Sequence, residues 1–315
     1  MDYEEILRKR WDVTVIGGGP GGLGCALYTS RAELSTLVIE KAFCGGLIAL
    51  TTEVENYPAM EPISGMELGQ RMEAQVRKFG AEIILKEVTR VDHEHGDGFA
   101  ITLGDDNQLQ AETVVVATGS APRRLPAKGE KEFYGRGMSY CATCDGAFFR
   151  DKEVVVVGGG ESAFQEGHFL TNFARKVTLV HRREGFRATP LAIRRARDTG
   201  KWEEKLNYVV DEILGKDTVK GVLLRHIQTD AHEEYACDGV FAFIGYEPAS
   251  QAVAHLVETD EEGYIVVDSR MRASQTGIWC AGDIIKGAKK QMVISAGAGA
   301  TAAMDIREYL ADKRG

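Results

Sequence analysis

Cys141 and Cys144 stand two residues apart in Cys141-Ala142-Thr143-Cys144-Asp145-Gly146, the one close cysteine pair among six cysteines. Two intervening residues let the thiols close into an exchangeable disulfide, and a helix starting after the first cysteine would favour a thiolate there. The competing chemistry is zinc, but a structural zinc site wants four ligands, commonly from two such pairs. Cys25, Cys44, Cys237 and Cys280 stand alone, and the seven histidines are scattered. The pair therefore reads as a redox centre, with no metal expected. Asp145 either caps a turn or supplies the acid that proton transfer beside a departing thiolate requires.

A redox pair needs an electron source, and two glycine turns offer one. Asp12–Ile16 has the pattern of a short buried strand. Gly17-Gly18-Gly19-Pro20-Gly21-Gly22 then opens a segment of small and apolar residues at helical spacing, and a second strand follows at Leu37–Ile39. The layout returns as Val154–Val157, Gly158-Gly159-Gly160, a helical stretch through Asn172 and a strand at Val177–Val180, an internal repeat. In both copies the first glycine precedes the residue ending the second strand by the same 23 positions, Gly17 to Glu40 and Gly158 to His181.

Gly17, Gly19 and Gly22 have GxGxxG spacing, which lets a pyrophosphate approach the backbone at a helix N-terminus. Glu40, ending the second strand, is placed to accept from both ribose hydroxyls. The alternative is a glycine-rich turn of an ordinary α/β unit. The second copy keeps Gly158 and Gly160, has Ala163 in the third position, and ends its strand in His181-Arg182-Arg183 with Arg187 following. Guanidinium forks pair bidentately with a 2′-phosphate that a carboxylate would repel, which points to NADP rather than NAD. A solvated basic face is the competing explanation. Two dinucleotide sites in one chain suggest an electron relay with FAD as the natural resident. Gly282-Asp283 could bind the ribityl or phosphate part of that resident, with turn capping as the equal alternative for Asp283. The small-residue helix from Met292 could aim its N-terminal dipole at the electron-rich end of a reduced flavin.

The elements that position these groups fit an α/β fold of two Rossmann-like dinucleotide-binding domains. At roughly 150 residues per domain, 315 residues suggest about two. Thr113–Gly119 runs into Pro122 and Pro126 as a domain exit, and the residues beyond about 250 are few for an independent domain. The economical arrangement is a discontinuous first domain, 1–119 and 249–315, with 120–248 inserted. A net charge of −9 with mixed signs argues against nucleic-acid binding. No apolar run approaches the ~20 residues of a membrane span, and the charged N-terminus does not read as a signal peptide. The expected compartment is the cytoplasm.

The sequence resembles the low-molecular-weight thioredoxin reductases over essentially its whole length. The matching pieces are GGGPGG (17–22), TTEVENYP (51–58), ATG (117–119), CATCDG (141–146), GGGESA (158–163), HRREGFRA (181–188), FIGYEP (243–248), AGD (281–283) and KQ (290–291). The resemblance implies an FAD domain made of both chain ends, an inserted NADPH domain carrying the cysteine pair, and a homodimer that reduces thioredoxin or a thioredoxin-like protein. It implies that Gly17, Gly19, Gly22, Glu40, Gly45, Gly46, Asn56, Val88 (through its backbone), Ala117, Asp283 and Gln291 line FAD. Gly158, Gly160, Ser162, His181, Arg182, Arg183 and Arg187 would hold NADPH. Cys144 would face the flavin, Cys141 would attack the partner disulfide, and Asp145 would donate the proton. This chain departs from the family pattern at Leu47, Tyr246 and Lys290, and has Gln165-Glu166 where a pair of glutamates is usual. The rival readings are the same core drawing on ferredoxin or discharging to oxygen, and a non-catalytic redox-sensing flavoprotein.

Overall fold

The computed structural model describes residues 1–50, 54–94 and 98–315, so the first three residues of TTEVENYP lie outside it. The chain divides into two compact units, Met1–Ala121 with Glu247–Gly315, and Pro122–Tyr246.

The first unit is built on a seven-stranded sheet. Its strands run in the order Glu82–Leu85, Thr36–Glu40, Arg10–Ile16, Gln108–Val116, Phe99–Leu103, Val88–His93, and Ile278–Cys280 joins Gln108–Val116. The inner pairs are parallel. Covered on both faces, their strands are near-continuous runs of buried residues. Phe99–Leu103 pairs antiparallel and alternates buried with half-buried residues, as expected where one face meets solvent. One face carries the helix Pro20–Arg31 under the long closing helix Met292–Arg314. Glycines let these two approach: a Cβ at Gly299 would lie 2.0 Å from Gly21 O, and one at Gly24 would lie 2.7 Å from Ala296 O.

The second unit holds an all-parallel five-stranded sheet, ordered Trp202–Leu206, Lys176–His181, Glu153–Gly158, Gly239–Phe243, Met138–Ser139. Beside it runs a three-stranded antiparallel meander from Tyr208 to Ala236. The periodicity that suggested a repeat is realised as equal register. Ile16 pairs with Ile39 in the first sheet and Val157 with Val180 in the second. Glu40 and His181, each one residue further on, therefore occupy equivalent strand ends.

Candidate redox and dinucleotide sites

The redox pair sits at the start of the short helix Ala142–Asp145, for which Cys141 is the N-cap. The pair is joined as a disulfide with Cα atoms 5.3 Å apart. Cys141 Sγ accepts the Cys144 backbone N–H at 3.1 Å, and Thr143 Oγ1 lies 3.3 Å from the same sulfur. A thiolate formed at Cys141 would inherit that N–H as a charge-assisted hydrogen bond, which lowers a thiol's pKa. Cys141 is half-buried and Cys144 exposed, so the two sulfurs differ in both access and support. Asp145 lines a cavity of about 300 Å³ with Arg136, Phe148 and Lys152. The other four cysteines are buried. Burial pushes the Cys25, Cys44 and Cys237 thiols up to about 12, and Cys280 upward as well. They are inert as nucleophiles on that ground.

The first glycine turn is closed tightly enough that only glycine serves at two positions. Gly17 has φ +108 and lies against Ala117, whose carbonyl oxygen a Cβ would meet at 2.3 Å; a Cβ at Gly22 would meet Gly17 O at 1.9 Å. Gly19 is the N-cap of Pro20–Arg31 and Pro20 its first residue, with no side chain capping the helix. First-turn N–H groups left without a side-chain cap are the arrangement that receives a pyrophosphate. Glu40 accepts from Gly18 N at 2.7 Å and from Ala42 N at 3.0 Å, which fixes the carboxylate at the lip of the turn.

Several of the remaining first-unit candidates gather at this edge. Gly45 donates to Gly18 O at 2.8 Å, and Gly46 lies against Gly19. A Cβ at Gly21 would lie 3.0 Å from Gly282 N. Asp283 accepts from Ser295 Oγ at 3.2 Å, and burial holds its carboxyl above the ordinary carboxylate range. Ser295 lies in the first turn of Met292–Arg314, whose N-cap, Gln291, provides no side-chain cap. Asn56 donates to Gln291 Oε1 at 3.2 Å, so those two are tied to each other rather than to the turn. Val88 follows the edge strand Glu82–Leu85, two residues after Lys86, whose N–H donates to Glu40 O.

The second turn is equally glycine-dependent but differently furnished. Gly160 caps Glu161–Leu170, again with no side-chain cap, and Ser162 is the second residue of that helix. Gly159, absent from the sequence-based candidates, is pressed against His181: a Cβ there would lie 2.2 Å from the ring. Only the fold could reveal this, since GxGxxG spacing leaves the second position free. Two ties hold the arginine loop to the turn. Arg187 N donates to Gly159 O at 2.9 Å, and Glu161 accepts from Thr189 N and Oγ1 at 2.7 and 3.0 Å. Arg182, Arg183 and Arg187 are exposed. Burial, with help from Arg182 and Arg183, holds His181 below the ordinary imidazole value. Three arginines beside an uncapped helix start suit a phosphate ester in addition to a pyrophosphate.

Among the described residues no cluster of His, Cys, Asp and Glu could hold a metal ion, and no helix is long and apolar enough to cross a membrane.

A cysteine pair at a helix start and two dinucleotide turns are the parts of a nicotinamide-linked disulfide enzyme, and comparison with known proteins agrees. The family described as pyridine nucleotide-disulphide oxidoreductase matches residues 11–303. The chain belongs to this family. Among curated members, the oxidoreductase is 43% identical to the thioredoxin reductase of Bacillus subtilis, over 96% of this chain and 95% of that protein. It is 42% identical to a bifunctional thioredoxin reductase/thioredoxin of Mycobacterium leprae, over 96% of this chain and 67% of that one. Among solved structures, the thioredoxin reductase of Lactococcus lactis superposes with a TM-score of 0.92 at 37% identity, covering 96% of this chain and all of that one. The oxidoreductase thus has the α/β fold of that enzyme, with the cysteine pair closed as a disulfide.

Proposed function

We propose that this oxidoreductase is an FAD-containing enzyme that uses NADPH to reduce the disulfide of thioredoxin or a thioredoxin-like protein through Cys141 and Cys144. The observation that carries the reading is the Cys141–Cys144 disulfide at a helix start, in a chain with two dinucleotide turns of unlike charge. Bound NADPH supplies a hydride and bound FAD relays its two electrons to the disulfide.

The rest is done by this chain's own residues. In the first unit, taken as the FAD-binding domain, Gly17, Gly19 and Gly22 leave room for the pyrophosphate, Glu40 orients the ribose, and Gly45, Gly46, Asn56, Val88, Ala117, Asp283 and Gln291 complete the wall. In the second unit, taken as the NADPH-binding domain, Gly158, Gly160 and Ser162 receive the pyrophosphate. His181, Arg182, Arg183 and Arg187 meet the 2′-phosphate. After reduction, the Cys141 thiolate attacks one sulfur of the partner disulfide, that S–S bond breaks, and Asp145 supplies a proton to a departing thiolate. Cys144 then attacks Cys141 of the mixed disulfide, releasing the partner dithiol and closing Cys141–Cys144 again. The exposed arginines favour NADPH over a ferredoxin donor, because a protein donor has no 2′-phosphate to engage them. By resemblance to the family the enzyme works as a cytoplasmic homodimer.

Anaerobic titration of the flavin with NADPH, and separately NADH, tests the relay. Bleaching by NADPH well ahead of NADH, reversed by oxidised thioredoxin, is the expected result. A flavin that NADPH leaves oxidised would bring the ferredoxin and oxygen readings forward.

A further inference from the structure

Arg182, Arg183 and Arg187 are exposed. Long side chains lose rotamer freedom when they grip a ligand, so a fixed backbone beneath them lowers the cost of aiming them. The loop that carries them runs from the strand Lys176–His181 to the helix Pro190–Arg197 and is pinned along its length. In its first half, His181 Nε2 lies 3.2 Å from Gly185 O, and Asn207 Nδ2 donates to Glu184 Oε1 at 3.4 Å. The second half alternates. Phe186 and Ala188 pack onto the core of the second unit, the Phe186 ring 4.8 Å from that of Phe164, while Arg187 and Thr189 are exposed. That period of two is extended chain. Two of its N–H groups find acceptors on the glycine turn: Arg187 N donates to Gly159 O at 2.9 Å, and Thr189 N to Glu161 Oε2 at 2.7 Å.

The Gly159 tie is backbone to backbone, whereas the Glu161 tie depends on a side chain. Glu161 Oε1 also accepts from Thr189 Oγ1 at 3.0 Å and from Gln165 Nε2, one helical turn on, at 2.9 Å. Thr189 Oγ1 in turn accepts from Ala192 N at 3.3 Å, which caps Pro190–Arg197. One carboxylate on the first residue of Glu161–Leu170 therefore holds the residue that starts the next helix, two places after Arg187. The position has a cost. A carboxylate in a first helical turn suits the helix dipole but opposes any phosphate brought to the same turn. Fixing the arginine loop offsets that repulsion.

We propose that Glu161 is a positioning residue that sets the preference for NADPH over NADH by clamping Thr189, and so holds the arginine loop in the shape that meets a 2′-phosphate. This rests on the reading of the arginines as the 2′-phosphate site. Glu161 acts through the loop backbone and leaves the phosphate contacts to Arg182, Arg183 and Arg187. Its effect is confined to ligands that carry the 2′-phosphate, because the pyrophosphate is received by the glycine turn, which keeps its own Gly159 O to Arg187 N tie without the carboxylate.

The test is calorimetric titration of the holoenzyme with adenosine 2′,5′-bisphosphate and, separately, with AMP, which differ by the 2′-phosphate alone. Wild type, Glu161→Ala and Glu161→Gln are compared, and KM for NADPH and for NADH is then measured on each. Glu161→Ala should weaken the bisphosphate and raise the NADPH KM about threefold to tenfold, the worth of one hydrogen bond, while AMP affinity and the NADH KM stay put. Glutamine keeps an oxygen for Thr189 and drops the charge, so Glu161→Gln should bind the bisphosphate at least as tightly as wild type. Repulsion alone predicts that both variants bind it more tightly, and that result overturns the proposal. An equal loss for AMP and NADH, the mark of a general packing defect, overturns it too. In a background of Arg182→Ala, Arg183→Ala and Arg187→Ala the Glu161→Ala effect should vanish; an effect that persists there shows that Glu161 does not act through the arginines. Failure of the NADPH reading would show separately, as a wild type that binds the two nucleotides alike, and the proposal would fall with it.

Discussion

The two glycine turns share spacing, strand register and an uncapped helix start, yet the helices that follow them are covered to different extents and the strand ends beside them differ in chemistry. Pro20–Arg31 is buried along most of its length, and the closing helix lies on it at glycine-to-backbone distance. Glu161–Leu170 is buried only at Ala163, Phe164, Gly167 and Leu170, and the arginine loop beside it stands in solvent, although the helix starts are open alike: a Cβ on Gly160 would meet nothing within 4 Å and one on Gly19 only Gly46 Cα at 3.9 Å. The lesson concerns exchange. On the proposed function, the well-covered helix belongs to the cofactor that stays and the exposed guanidinium groups to the one that exchanges. The strand-end residue differs between the copies, a carboxylate held by Gly18 N in one and a ring packed on Gly159 in the other.

The comparison is broken most directly by adding one carbon to each turn. Gly22→Ala places a methyl 1.9 Å from Gly17 O, and should cost several kcal/mol and the flavin with it. Gly160→Ala, in open space, should keep the flavin and the fold and weaken only NADPH. Flavin absorbance of the purified variants, followed by NADPH KM, separates the two outcomes. Next in size is the double variant Arg182→Ala with Arg183→Ala. Each lost charge-assisted bond is worth about 1.5–3 kcal/mol when well formed, less at an exposed site. The KM for NADPH should therefore rise about 10-fold to 100-fold while that for NADH stays put, and an equal rise for both would undo the specificity argument. The smallest effect is the pH response of His181. Its folded pKa lies below the unfolded value of about 6.5, so the fold favours the neutral ring. That contribution is fully present above about pH 6.5 and is lost as pH falls through the folded value. Protection factors of Lys176–His181, that is exchange rates corrected for their intrinsic pH dependence, should fall on acidification, and His181→Gln should flatten the trend.

Much of this was legible in the sequence because the chemistry is written in short, rigid spacings. The 23-residue interval fixed Glu40 and His181 as equivalents, and equal register is what such an interval must produce when both helices pack on their sheets alike. The CxxC pair named itself through the lack of any second pair. The approach of Gly159 to His181 was not legible. It joins a glycine to a ring 22 positions away in the chain, a relation with no spacing that a single sequence displays. The antiparallel meander from Tyr208 to Ala236 also escaped, because its strands are only partly buried, with charged residues interleaved.

The glycine contact between Pro20–Arg31 and Met292–Arg314 also bears on the order in which the protein is made. The helix that follows the first glycine turn rests on a partner that leaves the ribosome only after all of Pro122–Tyr246 has been synthesised. Since domains fold as units as they emerge, the inserted half, with its cysteine pair, can complete its own core while the other half still waits for its lid. The nascent chain thus acquires its redox turn before the last helix of the first unit has been made, and synthesis ends by laying that helix on Pro20–Arg31.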